Sequence, residues 1–518
     1  MTESSGRYVI EGHPRRWLIL AILNLCLVLI VASVSSLNVA LPTIIRELQP
    51  SSSQQLWIIA AYALVFAGFL LPAGALGDRY GRKGALLWGL AIFGIASCVA
   101  AFSASPTQLI GLRAVMGIGA ALIMPATLSI ITVVFPPQER SKAIAIWAGF
   151  AGAGGAIGPL ISGILLEAGF WWGSVFFVAV PIVVIAAVAI ALVVPTSRDE
   201  AGRPLDVTGA VFSVLGLTSL VAAIIEGPER GWTDPLVIGL SIAAVVFISA
   251  FVAWELRATY PMLDPRLFRI RRFGFGSLAI SMAFLVMFGF FLLITLYLQL
   301  VQGHSALGAA VRTLPMPITM LLVSPQSPKL VARFSLHRVV ATGFVIQAFG
   351  FLLLTQLEVD TSYPKLAAAF VCLGAGMALL MPPSTESIVS SLPHDKAGVG
   401  SAVNDTTREV GGAIGIAVLG TLLATGYRNG LDDATDGLPP EAAELAEDGL
   451  GGALQVAQQL PADLAGQLVA SARSAFLDGT TLAFGVAVVL GLITAVVIAR
   501  GLRPERLEAE RASSVAPI

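Results

Sequence analysis

The amino-acid sequence predicts an all-α, polytopic membrane protein. Of its 518 residues, 56% are hydrophobic and 12% are charged, and its mean hydropathy is +0.85. Soluble domains carry about 25% charged residues. Charge-free apolar runs recur along the chain, and many approach the length of about 20 residues that a helix needs to cross a bilayer. This composition excludes an ordinary soluble globular protein.

Fourteen apolar runs predict fourteen transmembrane helices. The first run is too long for the apolar core of a signal peptide and lacks a small-residue cleavage site, so we expect it to be retained. The predicted ranges are 17–40, 56–76, 84–103, 107–134, 142–166, 173–194, 207–226, 235–254, 274–300, 306–331, 337–356, 365–389, 402–425 and 480–500.

The positions of lysine and arginine predict the orientation of these helices. On the side of the membrane that holds both termini lie 23 of the 31 basic residues; six lie on the other side and two lie within spans. Basic residues are enriched in cytoplasmic segments. We therefore expect a multi-pass protein of the cytoplasmic membrane with both termini in the cytoplasm.

The composition also argues against several other classes of protein. The 31 basic residues are balanced by 32 acidic ones, whereas a nucleic-acid partner requires a basic face. The three cysteines and four histidines do not form a metal-binding spacing, and the sequence lacks nucleophile-elbow and phosphate-loop motifs. We expect neither an enzyme nor a protein that binds a metal or a cofactor.

One long acidic segment, residues 427–478, separates predicted helices 13 and 14. Its part from Gly452 to Phe476 is rich in Ala, Leu and Gln at helical spacing, which predicts a short helical hairpin outside the membrane. A solvated loop without a role is the alternative.

The sequence repeats itself at an offset of about 257 residues. The pattern Gly117–Pro125 returns at Gly374–Pro382, and GGAIG occurs at Gly154–Gly158 and at Gly411–Gly415. Parallel repeats of this kind are typical of transporters that work by alternating access, with a substrate site between the halves. The predicted divisions are 1–200 for a first six-helix bundle, 201–265 for inserted helices 7 and 8, and 266–518 for a second, homologous bundle.

Small and charged residues follow predicted helix 2, namely Gly74, Asp78, Arg79, Gly81 and Arg82. An acid at a helix end, followed by a turn and basic residues, predicts a charged latch that holds one face of the protein shut. We expect Asp78 to be an exposed loop charge, and maintenance of the fold is the alternative role. The second half keeps Arg333 but has Ala332 in place of the acid.

Two further groups of residues lie inside spans. Arg113 in predicted helix 4 is a candidate functional residue, because an arginine in a membrane is costly and usually faces a cavity or a partner. Predicted helix 5 carries Gly154, Gly158, Pro159 and Gly163, a pattern that permits close helix contact. Plain helix packing is the alternative for the second group.

These motifs resemble the Major Facilitator Superfamily. The segment Gly74–Lys83 is similar to its signature loop, Arg113 to its helix 4 arginine, and Gly154–Gly163 to the antiporter signature of its proton-driven exporters. With fourteen helices, Asn38–Pro42 in helix 1 and the acidic loop, the chain resembles the 14-helix drug:proton antiporters, and QacA-like multidrug exporters among them.

The resemblance implies a major facilitator fold of two six-helix bundles plus two inserted helices. It implies proton-coupled efflux of lipophilic small molecules by alternating access, in a monomer whose other partners are protons and membrane lipids. A dedicated exporter of one natural product or lipid is the first alternative. A non-transporting membrane sensor or scaffold is the second.

The chain departs from this family at three acidic positions, which here are Ser33, Ala60 and Met320. The acids that remain in spans are Glu386, Asp405 and Glu409. Intramembrane acids are functional candidates by default. We rank Glu409 or Asp405 first for proton coupling, then Glu386, with Arg113 and Arg408 as cationic partners. Alternatively, Asp405 caps the start of its helix and Glu409 pairs structurally with Arg408.

Candidates for the wall of a substrate cavity are aromatic, methionine or amide residues. Side chains of this kind suit a site that tolerates several shapes, although packing or contact with lipid is the alternative. The candidates are Asn38, Trp57, Tyr62, Phe66, Phe284, Phe288, Met316 and Met320.

Overall fold

The computed structural model describes residues 12–50, 52–198, 205–392, 396–431, 435 and 438–503, and these residues form helices and short connections without a strand. Among them are fourteen helices that are long and apolar enough to cross a membrane. Both the all-α fold class and the predicted number of spans are therefore confirmed.

We number the spanning helices α1 to α14. Several begin at a side-chain cap: Ser105, Asp206 and Asp234 accept hydrogen bonds from main-chain N–H groups at the starts of α4, α7 and α8. The helices are α1 Arg16–Leu48, α2 Ser52–Tyr80, α3 Arg82–Ala100, α4 Pro106–Val134, α5 Pro137–Glu167, α6 Ser174–Val193, α7 Val207–Arg230, α8 Pro235–Glu255, α9 Arg271–Val301, α10 Leu307–Phe334, α11 Leu336–Leu354, α12 Tyr363–Val389, α13 Ala397–Leu431 and α14 Ala462–Gly501.

The same helix pairs pack together in both halves of the chain. In the first half α1 packs on α5, and α4 packs on both α2 and α3. In the second half α9 packs on α13, and α12 packs on both α10 and α11. This is the arrangement that a duplication of a six-helix bundle produces. The division at residues 200 and 265 stays a prediction.

The two bundles meet along two lines of contact. On one, α13 packs against α2 and α4; on the other, α5 packs against α10 and α12. The inserted pair α7–α8 lies beside the first line, where α7 contacts both α2 and α13. The side of the molecule that holds the start of α1 and the α2–α3 and α8–α9 connections is called the arginine-rich side below.

Glycines bring equivalent helices into close contact in each half. A Cβ at Gly158 of α5 would overlap the Ala32 carbonyl oxygen of α1, and a Cβ at Gly415 of α13 would overlap the Leu285 carbonyl oxygen of α9. Only residues without a side chain allow backbones to approach this closely. The two copies of GGAIG therefore have the same packing role.

Several predicted boundaries are wrong; α1, for example, ends at Leu48 rather than at 40. Helix α13 runs from Ala397 to Leu431 rather than from 402 to 425, and α14 begins at Ala462 rather than 480. The expected hairpin from Gly452 to Phe476 is replaced by two short helices, Pro440–Glu447 and Leu450–Ala457, and by the first turns of α14. The reason is that a helix-forming stretch after Pro461 runs into the apolar span without a breaker. Asp432, Asp433 and Asp436 lie outside the described residues.

Candidate functional site between the two bundles

A latch on the arginine-rich side joins α2 to α13. The Arg82 guanidinium lies 2.7 Å from Asp78 Oδ1, and Asp78 also accepts hydrogen bonds from the main-chain N–H of Gly398 at 2.9 Å and of Val399 at 3.1 Å. Because α13 begins at Ala397, these N–H groups belong to its first turn, which has no partner within the helix and favours an anion. Asp78 is 6% exposed, so the expectation of an exposed loop charge is wrong.

Glycines make this latch possible. A Cβ at Gly74 would lie 2.6 Å from the Gly398 carbonyl oxygen, so the backbones of α2 and α13 touch here. Gly81 has a φ of 114°, a conformation that allows the tight turn into α3. The Arg79 guanidinium lies over the ring of its neighbour Tyr80, 5.2 Å from the centroid. Arg79 therefore lies next to the latch, and its guanidinium contacts Tyr80 rather than Asp78.

A second polar contact crosses between the bundles on the same side. The Ser141 hydroxyl of α5 donates a hydrogen bond to Glu386 of α12. Ala332 leaves α10 without the acid that would mirror Asp78, and Glu386 from the neighbouring helix supplies a carboxylate at this contact instead. The hydrogen bond of Glu386 is thus directed to Ser141 of the first bundle rather than to the α13 acids.

A buried ionic cluster lies in the interior of α13. The Arg408 Nη1 atom lies 3.7 Å from Asp405 Oδ1, and its Nη2 atom lies 3.1 Å from Glu409 Oε1. The side chains of Arg408, Asp405 and Glu409 are 7%, 0% and 14% exposed, respectively. Since α13 begins at Ala397, Asp405 lies more than two turns inside the helix and does not cap it. Glu409 lies about 18 Å from the helix start at 1.5 Å per residue. Arg408 joins the two acids rather than anchoring the helix end.

A hydrogen-bonded chain links this cluster to α12. The Thr385 hydroxyl donates to Asn404 Oδ1 at 2.9 Å, and Asn404 Nδ2 donates to Asp405 Oδ1 at 3.3 Å. Thr385 and Asn404 are fully buried. Sequence reasoning missed both residues, although each is a polar neighbour of a membrane acid in an otherwise apolar helix.

The first bundle contributes a cation and aromatic rings. Arg113 Nε donates to the Ile58 carbonyl oxygen at 3.1 Å, and its guanidinium lies 4.7 Å from the centroid of the Tyr62 ring. Tyr62 stacks on Phe66 with centroids 5.7 Å apart. The Tyr62 hydroxyl also lies within electrostatic range of Arg408 and Glu409 across the bundle interface.

Three buried polar atoms around this interface lack a hydrogen-bond partner among the described residues. They are Arg113 Nη1, Tyr62 Oη and Asp405 Oδ2. Buried polar atoms are rarely left unpaired. These three atoms belong to α4, α2 and α13, respectively. Their unpaired state indicates that the interface between these helices can take up a proton, a water molecule or a polar group of a ligand.

The predicted cavity wall divides into two groups. Phe284 lies under the Arg408 guanidinium at 5.6 Å from the ring centroid and contacts Phe288, so these two belong with Tyr62 and Phe66. Met316 and Met320 instead pack at glycines: a Cβ at Gly152 of α5 would lie 2.7 Å from Met320 Sδ.

The remaining candidates have less defined positions. Trp57 is partly buried near the start of α2. Of the positions that lack the family's acids, Ser33 donates its hydroxyl to its own helix at the Leu29 carbonyl oxygen, and Ala60 is buried. The side chain of Asn38 lies outside the described residues.

The family model of the Major Facilitator Superfamily matches residues 23–416. The chain belongs to this superfamily. Its members are transporters rather than enzymes. Over 94% of the chain, the fold is similar to the whole of the human organic anion transporter MFSD10 (TETRAN), with a TM-score of 0.63 and 15% identity.

Relatives with similar sequences are named for drug efflux, resistance or export. The multidrug efflux pump LfrA of Mycolicibacterium smegmatis is 38% identical over 95% of this chain and 99% of its own length. The methyl viologen resistance protein SmvA of Salmonella typhimurium is 34% identical over 93% and 97%. The tetracenomycin C resistance and export protein of Streptomyces glaucescens is 33% identical over 96% and 92%. The predicted resemblance to drug:proton antiporters is therefore confirmed at the level of the family.

Proposed function

We propose that this chain exports lipophilic small molecules from the cytoplasm in exchange for protons, as a monomer in the cytoplasmic membrane. The observation that carries the proposal is the buried Asp405–Arg408–Glu409 cluster at the bundle interface. Two acids share one arginine there, and Asp405 keeps an unpaired oxygen. Buried charges persist only where they are paired or functional.

Protonation of this cluster offers a physical route to coupling. A proton on one carboxylate removes one of the two negative charges that Arg408 balances, and the guanidinium then pairs with the other acid alone. This change alters the net charge of the cluster, which lies beside the aromatic side chains of the proposed substrate cavity. The Asp78 and Glu386 contacts both lie on the arginine-rich side, and we propose that they separate when that side opens.

Reconstitution into proteoliposomes tests the proposal. Uptake of a fluorescent drug would be measured with and without an imposed pH gradient for Asp405→Asn, Glu409→Gln and Glu386→Gln. We expect the first two to lose gradient-driven accumulation more than tenfold while they still bind the drug, and Glu386→Gln to lose less.

A matched control is Glu226→Gln. Glu226, at the last position of predicted helix 7, is a buried acid that sequence reasoning missed, and it pairs with Arg230 of its own helix α7. This variant should retain gradient-driven accumulation. Wild-type accumulation and pH dependence in all three test variants would refute the assignment of the coupling acids.

A dedicated exporter is the second candidate, and the relative named for tetracenomycin C export favours it. Drug susceptibility of a host that expresses the chain, measured with chemically unrelated compounds, separates the two. Resistance to several classes supports a multidrug exporter, and resistance to one class supports a dedicated one. If no compound moves, even under a pH gradient, the non-transporting alternative is favoured.

A further inference from the structure

A groove runs between the two inserted helices at their arginine-rich end. Its volume is about 290 Å³, and its walls are formed by Phe212 of α7 and by Ala250, Ala253, Trp254, Arg257 and Ala258 at the end of α8 and just after it. Small-molecule sites have volumes of about 300–1,000 Å³. The groove therefore suits a slender apolar chain better than a bulky drug.

The mouth of this groove carries positive charge. Five arginines lie within sixteen residues, at 257, 266, 269, 271 and 272. Arg257 is exposed and has no acidic partner among the described residues. A guanidinium in this position is available to an anion from the membrane surface.

The described carboxylates near the groove each accept a hydrogen bond from the protein. Asp206 accepts a hydrogen bond from Trp254 Nε1 at 2.9 Å, and Glu255 is buried and accepts one from the Leu263 main-chain N–H at 3.2 Å. Asp264 accepts one from the main-chain N–H of Arg266 at 2.9 Å. None of these three described carboxylates forms an ion pair with Arg257.

The groove also opens toward the lipid phase. Most of α8 is not covered by other helices, and Val245, Val246 and Val252 are exposed on its surface. Trp254 is 42% exposed. Tryptophan beside basic residues at the end of a span is typical of the level of lipid headgroups.

We propose that this groove binds an anionic phospholipid. Its phosphate-bearing headgroup pairs with Arg257, and one acyl chain lies along Phe212, Ala250 and Ala253. Basic pockets between transmembrane helices favour anionic headgroups, whereas a zwitterionic headgroup brings its own cation to the phosphate. Because α7 packs on α2 and α13, the lipid sits on the helix pair that covers one line of contact between the bundles.

Quenching of Trp254 fluorescence by brominated phospholipids tests this site. The protein would be reconstituted in vesicles of phosphatidylcholine and phosphatidylglycerol in which one or the other lipid carries bromine on its acyl chains. The chain has eight tryptophans, so the signal of Trp254 is the difference between wild type and Trp254→Phe. We expect brominated phosphatidylglycerol to quench this signal with about fivefold higher apparent affinity, the contribution of one arginine near the surface.

Arg257→Gln should abolish this preference for phosphatidylglycerol. Arg272→Gln is the matched control, because it removes the same charge from the same stretch but does not line the groove; it should keep the preference. Equal quenching by both lipids in the wild type would overturn the proposal. An equal loss in both variants would do so too, since it would mean that only the surface potential attracts the lipid.

A second variant leaves every charge in place. Ala253→Phe fills the groove with a ring, and it should lower quenching by brominated phosphatidylglycerol to the level of phosphatidylcholine. This measurement decides the question if Arg257→Gln cannot be recovered as a monodisperse protein. Unchanged quenching in Ala253→Phe would show that no acyl chain occupies the groove, and the proposal would be wrong.

Discussion

Asn404 lies between two residues that carry the polar chemistry of the bundle interface. Its amide nitrogen donates to Asp405, and its amide oxygen accepts from Thr385. An amide is suited to this place because it donates and accepts at once. The geometry of Asp405 therefore depends on α12 as well as on its own helix.

Thr385→Val should destabilise the protein. The change is nearly isosteric, but it leaves the buried Asn404 Oδ1 without its donor, at a cost of about 1–3 kcal/mol. Thermal unfolding of the purified protein in detergent measures the loss. The control is Thr480→Val in α14, where the buried hydroxyl donates to a carbonyl oxygen of its own helix. A loss no larger than that of the control would contradict the role given to Asn404.

The end of α2 and the start of α13 meet at the Asp78 contact on the arginine-rich side. Asp78→Asn removes the ion pair with Arg82 and weakens the hydrogen bonds to the start of α13. The protein should still insert, but the closed arrangement should lose stability and transport should fall sharply. Distances between spin labels on α2 and α13 should broaden toward longer values.

The matched control for this variant is Glu139→Gln. It breaks the ion pair of Glu139 with Arg16, which lies on the same side but joins α1 to α5 within one bundle. The label distances between α2 and α13 should not change in the control. Wild-type efflux in Asp78→Asn would leave this residue with a topological role only.

Packing of α5 on α1 depends on individual glycines. Gly158→Ala should reduce stability by about 1–3 kcal/mol, because the new methyl group overlaps the α1 backbone. Gly155→Ala is the control, since a Cβ at Gly155 meets open space. Thermal stability by size-exclusion chromatography of heated samples compares them. Equal stability of the two variants would mean that α1 and α5 are less tightly packed than described.

Apolar runs predict the number of helices because the thickness of the bilayer sets the length of a spanning helix. The positions of arginine support this number because basic residues are enriched on one side of the membrane. The start of α14 was not predictable in this way: residues 462–479 are helical but polar enough to resemble a loop. The Ser141–Glu386 contact could not be predicted from the sequence pattern, since it joins residues 245 positions apart. The apolar pattern predicts a helix start at 402, five residues late, and a start there would make Asp405 a possible cap.

Both bundles contribute charged side chains to the surroundings of Tyr62 at the bundle interface. Arg113 comes from the first bundle, and Asp405, Arg408 and Glu409 come from the second. With all four ionised, their net formal charge is zero. A dication in a dry cavity needs more than one uncompensated carboxylate to offset its desolvation.

We therefore expect weak or absent efflux of divalent lipophilic cations. Monovalent or neutral compounds should be better substrates. Efflux of methyl viologen, a dication, and of ethidium, a monovalent cation, would be compared in the same cells. Efflux of methyl viologen at the rate of ethidium would refute this expectation.

The partner of Asp78 is main chain, and this has a consequence for how the protein can vary. No substitution at position 398 or 399 other than proline removes the N–H groups that Asp78 binds. Asp78 is the one partner in this contact that uses its side chain. Substitutions at position 78 therefore need not be accompanied by substitutions at positions 398 and 399. The constraint that the contact places on α13 is steric, because a side chain at position 398 would push α2 and α13 apart. A single added methyl group there would separate the end of α2 from the start of α13 without altering any charge.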